Sequence, residues 1–390
     1  MARALDGFRI LDFTQIIAGP LATRQLALQG AEVIKVEAPG GGDVMRGLMA
    51  GAEHAARGFS PMFQYLNAGK RSIVLDLKSD EGRQTARTLA LKSDVVVENF
   101  RPGVMARLGL DAASLRAEKP GLVYCSISGY GQTGPKIGRP AYDGPMQADS
   151  GLMSVNGMPD GEPTRLGIMA IDTLVGAQAA TAILAALMRR QRSGEGQTID
   201  ISLFDCALHL MAPQVHDWLN RGIVPERNGN GTAAGLPTDN LFHASDGPIL
   251  ITAINETQIG KLFEVLGLSP LGEDVRFKSH PARMENREIL TAAIDGALGA
   301  RTAAEWEGAL QAAGVPCARV RTVDEVVQDP QVTANGAIAA AKRPAGYDGP
   351  EARLLGAGYR ADVDGPELRA APLLGADNAK VLAEIDWGHE

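Results

Sequence analysis

The first third of the chain alternates short apolar runs with longer mixed stretches. Residues 8–14 read as a strand, followed by Gly19-Pro20, a helix through Leu26 and a turn at Gly30. Residues 32–37 read as a second strand, and this strand–helix–strand spacing is that of a right-handed βαβ unit. Further strands are predicted at 72–77, 94–100 and 122–128, with helices from Ser79 and after Pro102. Strands alternating with helices predict a doubly wound α/β fold with a Rossmann-like parallel sheet. Such a sheet places ligands beyond the carboxyl ends of its strands, where the flexible 39–43 loop lies.

The longest apolar stretch runs from Thr173 to Leu187 and is almost entirely Ala, Leu, Ile, Val, Gly and Thr. A helix there is apolar nearly all round and belongs in a core, and it is shorter than a comfortable membrane span. Gly176, a poor helix former, implies close approach by another backbone. Arg189, Arg190 and Arg192 suit the negative end of the helix, and Ser193-Gly194 stops it. Its entrance carries one acid, Asp172. An N-cap and a catalytic carboxylate at a pocket mouth both fit that place, and spacing does not choose between them.

After Asp205 the pattern gives another helix to about Asn220, then a stretch at 221–240 rich in Gly, Pro and Asn. That stretch reads as a linker or active-site loop. A hairpin turning at Asp246-Gly247, helices near 258–266, 287–298 and 303–313, and a strand at 316–322 make a smaller α+β domain. From about Asp329 the chain looks linker-like, with a last short helix after 371–375. The predicted organisation is a large domain at 1–220, a linker at 221–240, a small domain at 241–328, and a linker plus C-terminal part at 329–390.

Composition narrows the function classes. The chain is 390 residues long, 45% hydrophobic and 22% charged, ordinary values for a soluble protein. A net charge of −8 without a basic run gives no support for a nucleic-acid partner. Three scattered cysteines fit a reduced, cytoplasmic protein, and the six histidines form no H-x-x-x-H pair, so no metal is expected. The N-terminal segment MARALDGFRILDFTQ lacks a signal-peptide core, and no membrane partner is expected. Gly129-Tyr-Gly-Gln-Thr-Gly134 satisfies G-x-G-x-x-G after a strand, the dinucleotide pattern. Pro135, Gly138 and Pro140 forbid the helix that this pattern requires, so these glycines serve a different ligand.

The block from Asp172 onward resembles the class III (CaiB/BaiF) CoA-transferase family. That family has an Asp entering a small-residue helix, then R-x-x-x-G-x-G-Q and a strand ending in an acid. Here these are Asp172, Arg190-Gln-Arg-Ser-Gly194-Glu-Gly196-Gln197 and the segment from Thr198 to Asp205, and the resemblance extends over essentially the whole chain. It implies transfer of CoA from an acyl-CoA such as succinyl-CoA to a small carboxylic acid, through a mixed anhydride and an aspartyl-CoA thioester on Asp172. Gln15 and the Ala18-Gly19 backbone would lie near the thioester. CoA contacts are implied at Leu75 to Lys78, Asn99, Arg107, Ser128, Gly129, Tyr130 and Gly131, with CoA a substrate and no cofactor tightly bound. Arg107 reads equally well as a solvated helix charge, and Lys35, Arg46 and Arg71 read mostly as surface. The resemblance also implies an interlocked homodimer, whose large domain is discontinuous because the tail returns to it.

The chain departs from the family's formyl-CoA enzymes at several positions. Gln15 stands for a His, Ile17 for a Gln and Ala38 for an Arg. Residues 228–235 replace a run of four glycines, so oxalate is not favoured and the acceptor stays open, a succinate-like dicarboxylate being a guess. Racemases of the same fold carry a G-H-D-I-N-Y-like segment. Arg139-Pro-Ala-Tyr-Asp143 has no His, which weighs against their proton abstraction. A third reading is a CoA-binding protein without catalysis, against which Asp172 and the intact G-x-G-Q segment argue.

Overall fold

Six strands, β1 (Arg9–Asp12), β2 (Glu32–Glu37), β3 (Arg71–Val74), β4 (Val95–Glu98), β5 (Val123–Ser128) and β6 (Thr198–Ser202), form one sheet ordered β3-β2-β1-β4-β5-β6. Every pairing in it is parallel. The computed structural model describes residues 3–49, 51, 54, 57–232 and 235–386; Ala233 and Ala234, within the 228–235 segment, lie outside the described residues. The strand centres are largely apolar because helices cover both faces, and Ile10, Leu11 and Val95 to Val97 are fully buried. The chain begins at the centre and winds outward both ways, so its order reverses between β1 and β4, where the carboxyl ends part into a crevice. This is the expected mixed α/β fold. The strands predicted at 72–77 and 94–100 end early, at Val74 and Glu98; after the second of these the chain leaves the sheet for a loop at that crevice, whereas β3 lies at the sheet's edge.

On one face the helix Asp80–Leu91 packs Ala86, Leu89 and Ala90 onto Leu11, Ile34, Ile73 and Val96. Ser79 starts this helix, its Oγ accepting the Gly82 N–H at 3.0 Å. On the other face the helix Ala18–Leu28 packs against the helix Ala170–Ser193. A Cβ on Gly176 would stand 2.9 Å from Leu21 Cβ, Cγ and Cδ2, so the close neighbour there is a side chain rather than a backbone.

The long helix differs from its sequence reading in two ways. It runs for 24 residues, long and apolar enough by length and composition to cross a membrane, so shortness is no argument about it. It is also not buried all round. Ile171, Val175, Ala179, Ile183, Ala186 and Leu187 face inward, while Thr173, Ala177, Thr181 and Ala185 are exposed. Ala and Thr are tolerated on either face, and so leave no amphipathic signal.

The chain divides into two compact units. One holds Met1–Ser150, Leu166–Leu210 and Pro330–Glu390; the other holds Gly151–Arg165 and Met211–Asp329. The helix Ala212–Arg221 and residues 151–165 thus belong to the second unit, although the sequence reading put both in the large domain. In that unit β7 (Asp239–His243), β8 (Pro248–Thr252) and β9 (Cys317–Arg319) form an antiparallel sheet. Helices Glu256–Val265, Arg287–Leu298 and Ala303–Ala312 back it around Phe242, Ile249, Leu262 and Trp306. In the first unit, the stretch read as a linker contains an antiparallel pair, β10 (Ile338–Ala341) and β11 (Ala352–Leu355). Its alanine-rich first strand shows no period-two pattern to find. Asp377 Oδ2 and Asn378 Oδ1 accept the N–H groups of Ser72 and Val74, which seats the helix Asn378–Asp386 beside β3.

Candidate active site

The crevice between β1 and β4 opens into a cavity of about 430 Å³, in the range of a small-molecule site. Its wall is made by residues 15–18 leaving β1, 99–102 leaving β4, 127–129 at the end of β5, the loop 139–142, Leu203 and Asp172. Gln15, Ala18, Asn99, Ser128, Gly129 and Asp172 therefore gather around one space. Leu75, Lys78, Arg107, Tyr130 and Gly131 are not on its wall. Leu75 belongs to the buried face of the sheet, whereas Lys78 and Arg107 are exposed. Gly131, at φ +87°, donates its N–H to Ser128 Oγ at 3.0 Å. The Tyr130 ring packs against Phe204, and the Lys136 ammonium lies 5.2 Å from its centroid.

Asp172 is the third residue of its helix, so it is not the N-cap; that position is Met169, whose side chain caps nothing. The capping is done from outside. Asp143, buried at the start of the helix Asp143–Asp149, accepts the N–H groups of Ile171 (2.9 Å) and Asp172 (3.1 Å) on Oδ2. Its Oδ1 accepts from Gln147 Nε2 at 2.6 Å. The Asp172 side chain is thereby left for the cavity and makes no hydrogen bond or ion pair among the described residues. Burial, and after it the negative charge of Asp143, pushes its carboxyl up to about 7. A carboxyl near 7 is more basic, and hence more nucleophilic once ionised, than an ordinary aspartate.

Asn99 faces the cavity, but its amide is engaged: Oδ1 accepts the Gln15 N–H at 2.9 Å and Nδ2 donates to the Gln15 carbonyl at 2.8 Å. The cations read as surface are not on the surface. Lys35 is fully buried, 2.9 Å from Asp43, and Arg46 is buried in a two-point pair with Glu37 at 2.6 and 2.8 Å. Arg71 is partly buried among Glu32, Asp377 and Glu384. One signal could have revealed Lys35: a charge inside a strand covered on both faces must have a partner. Asp143 was out of reach of local patterns, since the helix it caps begins far downstream.

The G-x-G-Q segment is not at the cavity. Gly194, at φ +75°, closes the long helix with its N–H on the Arg190 carbonyl at 2.7 Å. A Cβ on Gly196 would stand 2.1 Å from the Leu122 carbonyl oxygen, so only glycine lets the chain pass β5 there. Arg190 pairs with Asp94 at 2.9 Å. These contacts sit at the amino ends of β4 and β5, opposite the crevice, and their work is to build the fold.

A sequence profile of CoA-transferase family III matches residues 5–378. An acetyl-CoA:oxalate CoA-transferase of Acetobacter aceti is 37% identical over 383 residues, covering 93% of this chain and 97% of its own. A succinate–glutarate CoA-transferase of Agrobacterium fabrum is 35% identical over 390 residues, covering 98% and 96%. The crystal structure of a CaiB/BaiF family protein from Brucella suis matches with a TM-score of 0.86 at 35% identity, over 99% of this chain and 100% of that one. Similarity of this extent, in sequence and in structure, leaves one conclusion: the chain belongs to CoA-transferase family III.

Proposed function

We propose that this enzyme moves CoA from an acyl-CoA to a small carboxylic acid by covalent catalysis on Asp172. The observation that carries the reading is the Asp172 carboxyl itself, on the cavity wall, unpartnered among the described residues and raised to about 7. Its carboxylate attacks the thioester carbonyl, giving an acyl-aspartyl anhydride and CoA thiolate. The thiolate attacks the aspartyl carbonyl, releasing the donor acid and leaving an aspartyl-CoA thioester. The acceptor carboxylate then attacks that thioester, and the freed thiolate takes the acceptor's acyl group, restoring Asp172. Each step exchanges one acyl bond for another of similar energy, so little is lost to water.

Relatives named for oxalate and for succinate–glutarate exchange support a dicarboxylate as donor or acceptor, with succinyl-CoA the first donor to try. The cavity wall carries no histidine among the described residues, which disfavours a racemase. Resemblance to the family further supports an interlocked homodimer that persists on dilution; a folded monomer at nanomolar concentration in sedimentation overturns that.

Asp172→Asn decides the mechanism. The capping oxygen belongs to Asp143, so the variant is expected to fold and bind acyl-CoA while exchange falls by orders of magnitude. Wild-type protein treated with acyl-CoA and then hydroxylamine is expected to give a hydroxamate on the peptide containing Asp172. Label on another acid, or full exchange by the Asn variant, shows that another carboxylate is the nucleophile.

A further inference from the structure

The turn between β1 and the helix Ala18–Leu28 is held from outside at nearly every backbone polar atom. Thr14 N–H donates to Asp12 Oδ1 at 2.8 Å, and the Thr14 carbonyl accepts from Lys35 Nζ at 2.7 Å. Asn99 grips both the N–H and the carbonyl of Gln15. Ile16 N–H donates to Asp43 Oδ1 at 3.2 Å, an oxygen shared with Met45 N–H at 3.0 Å, while Asp43 Oδ2 lies 2.9 Å from Lys35 Nζ. Lys35 thus ties the turn at two points, through Thr14 directly and through Asp43.

What is held is strained. Ile16 has φ +72°, and it and Met49 are the two described non-glycine residues at positive φ. For a β-branched residue that conformation is an outlier, which persists only where its surroundings impose it. Burying the Lys35–Asp43 pair is itself costly and is poor evidence for stability alone. Beyond the strained residue, the N–H groups of Ile17 and Ala18 have no partner among the described residues, and both residues share the cavity wall with Asp172.

We propose that Asn99 and the Lys35–Asp43 pair are positioning residues that hold Ile16 in its left-handed conformation, so that the N–H groups of Ile17 and Ala18 meet the oxyanion formed when Asp172 attacks an acyl carbonyl. This rests on the mechanism proposed above and assigns its oxyanion donors. Donors fixed before the reaction need no reorganisation when charge develops, which is where such groups act most strongly.

The test measures CoA exchange, acyl-CoA binding by calorimetry and the hydroxylamine trap on the full chain, with succinyl-CoA as donor. Asn99→Ala and Asp43→Ala are each expected to lower kcat by about a hundred-fold with KM for acyl-CoA within about two-fold, because the donors are lost to the transition state more than to the substrate. Glycine takes positive φ without penalty, so Ile16→Gly combined with Asn99→Ala is expected to recover much of the loss. A rise in KM at unchanged kcat, or losses that multiply in the double variant, overturns the proposal. Should Asp43→Ala fail to fold because Lys35 is left unpaired, Asn99→Ala, which removes no charge, decides alone. An empty trap in the wild type overturns the mechanism and this assignment with it; a trap that fills at the same rate in wild type and variants overturns the assignment alone.

Discussion

The buried carboxylate of Asp143 accepts the backbone N–H of Asp172 at 3.1 Å and at the same time raises the pKa of that residue's own side chain. One group thus sets the place of the proposed nucleophile and, after burial, adds to its basicity. The reacting form is the carboxylate, so exchange is expected to rise with pH through about 7 and to be lost below it. Asp143→Asn removes the repelling charge but leaves the burial. The acid limb of kcat/KM, which reports the free enzyme, is then expected to move to lower pH while staying above the ordinary aspartate value. A limb that stays put or moves upward refutes the coupling.

Gly196→Ala is expected to damage the fold without touching the chemistry. Its Cβ meets the Leu122 carbonyl oxygen, a backbone atom that cannot swing aside. Overpacking of this kind costs roughly 1–3 kcal/mol, read as a lower Tm or denaturant midpoint. Acyl-CoA affinity of the folded protein is expected to stay at the wild-type value, since the site is at the other end of the sheet. A fully stable variant with weakened binding would place the segment at the ligand after all.

Arg107 closes the short helix Val104–Arg107, a few residues beyond the cavity wall at Pro102, and its side chain is exposed. A ligand as long as CoA extends outside the cavity, and a phosphate there suits a guanidinium. Arg107→Ala is expected to weaken acyl-CoA binding by roughly 1–3 kcal/mol and to lower its salt sensitivity. An unchanged dissociation constant in titration calorimetry returns Arg107 to the role of a solvated charge.

The sheet was legible because its strands are short, have apolar centres and alternate with helical stretches, and because Gly19-Pro20 marks the break after β1. The pattern singled out Asp172 as the one acid entering an apolar helix, but left open whether it caps or catalyses, and only the family resemblance chose between the two. What stayed hidden was whatever depends on partners brought together by the fold rather than by a local pattern. Asp143 reaches the helix start from 29 residues away, and Lys35 looks like any strand lysine until Asp43 folds back over it. The one-sided burial of the long helix was hidden for another reason, since alanine and threonine do not declare which face they occupy.

That helix joins two parts of the molecule with separate duties. Its 24 residues span about 36 Å at 1.5 Å each, with the carboxyl of Asp172 near one end and the Gly194 turn at the other. The G-x-G-Q segment, one of those that carry the family resemblance, therefore certifies the scaffold and is silent about catalysis. On the mechanism proposed above, a descendant that kept both glycines but exchanged the acid for an amide would still fold, still pass as kin, and transfer nothing. Any survey that sorts working exchangers from retired ones has to read the far end of the helix as well.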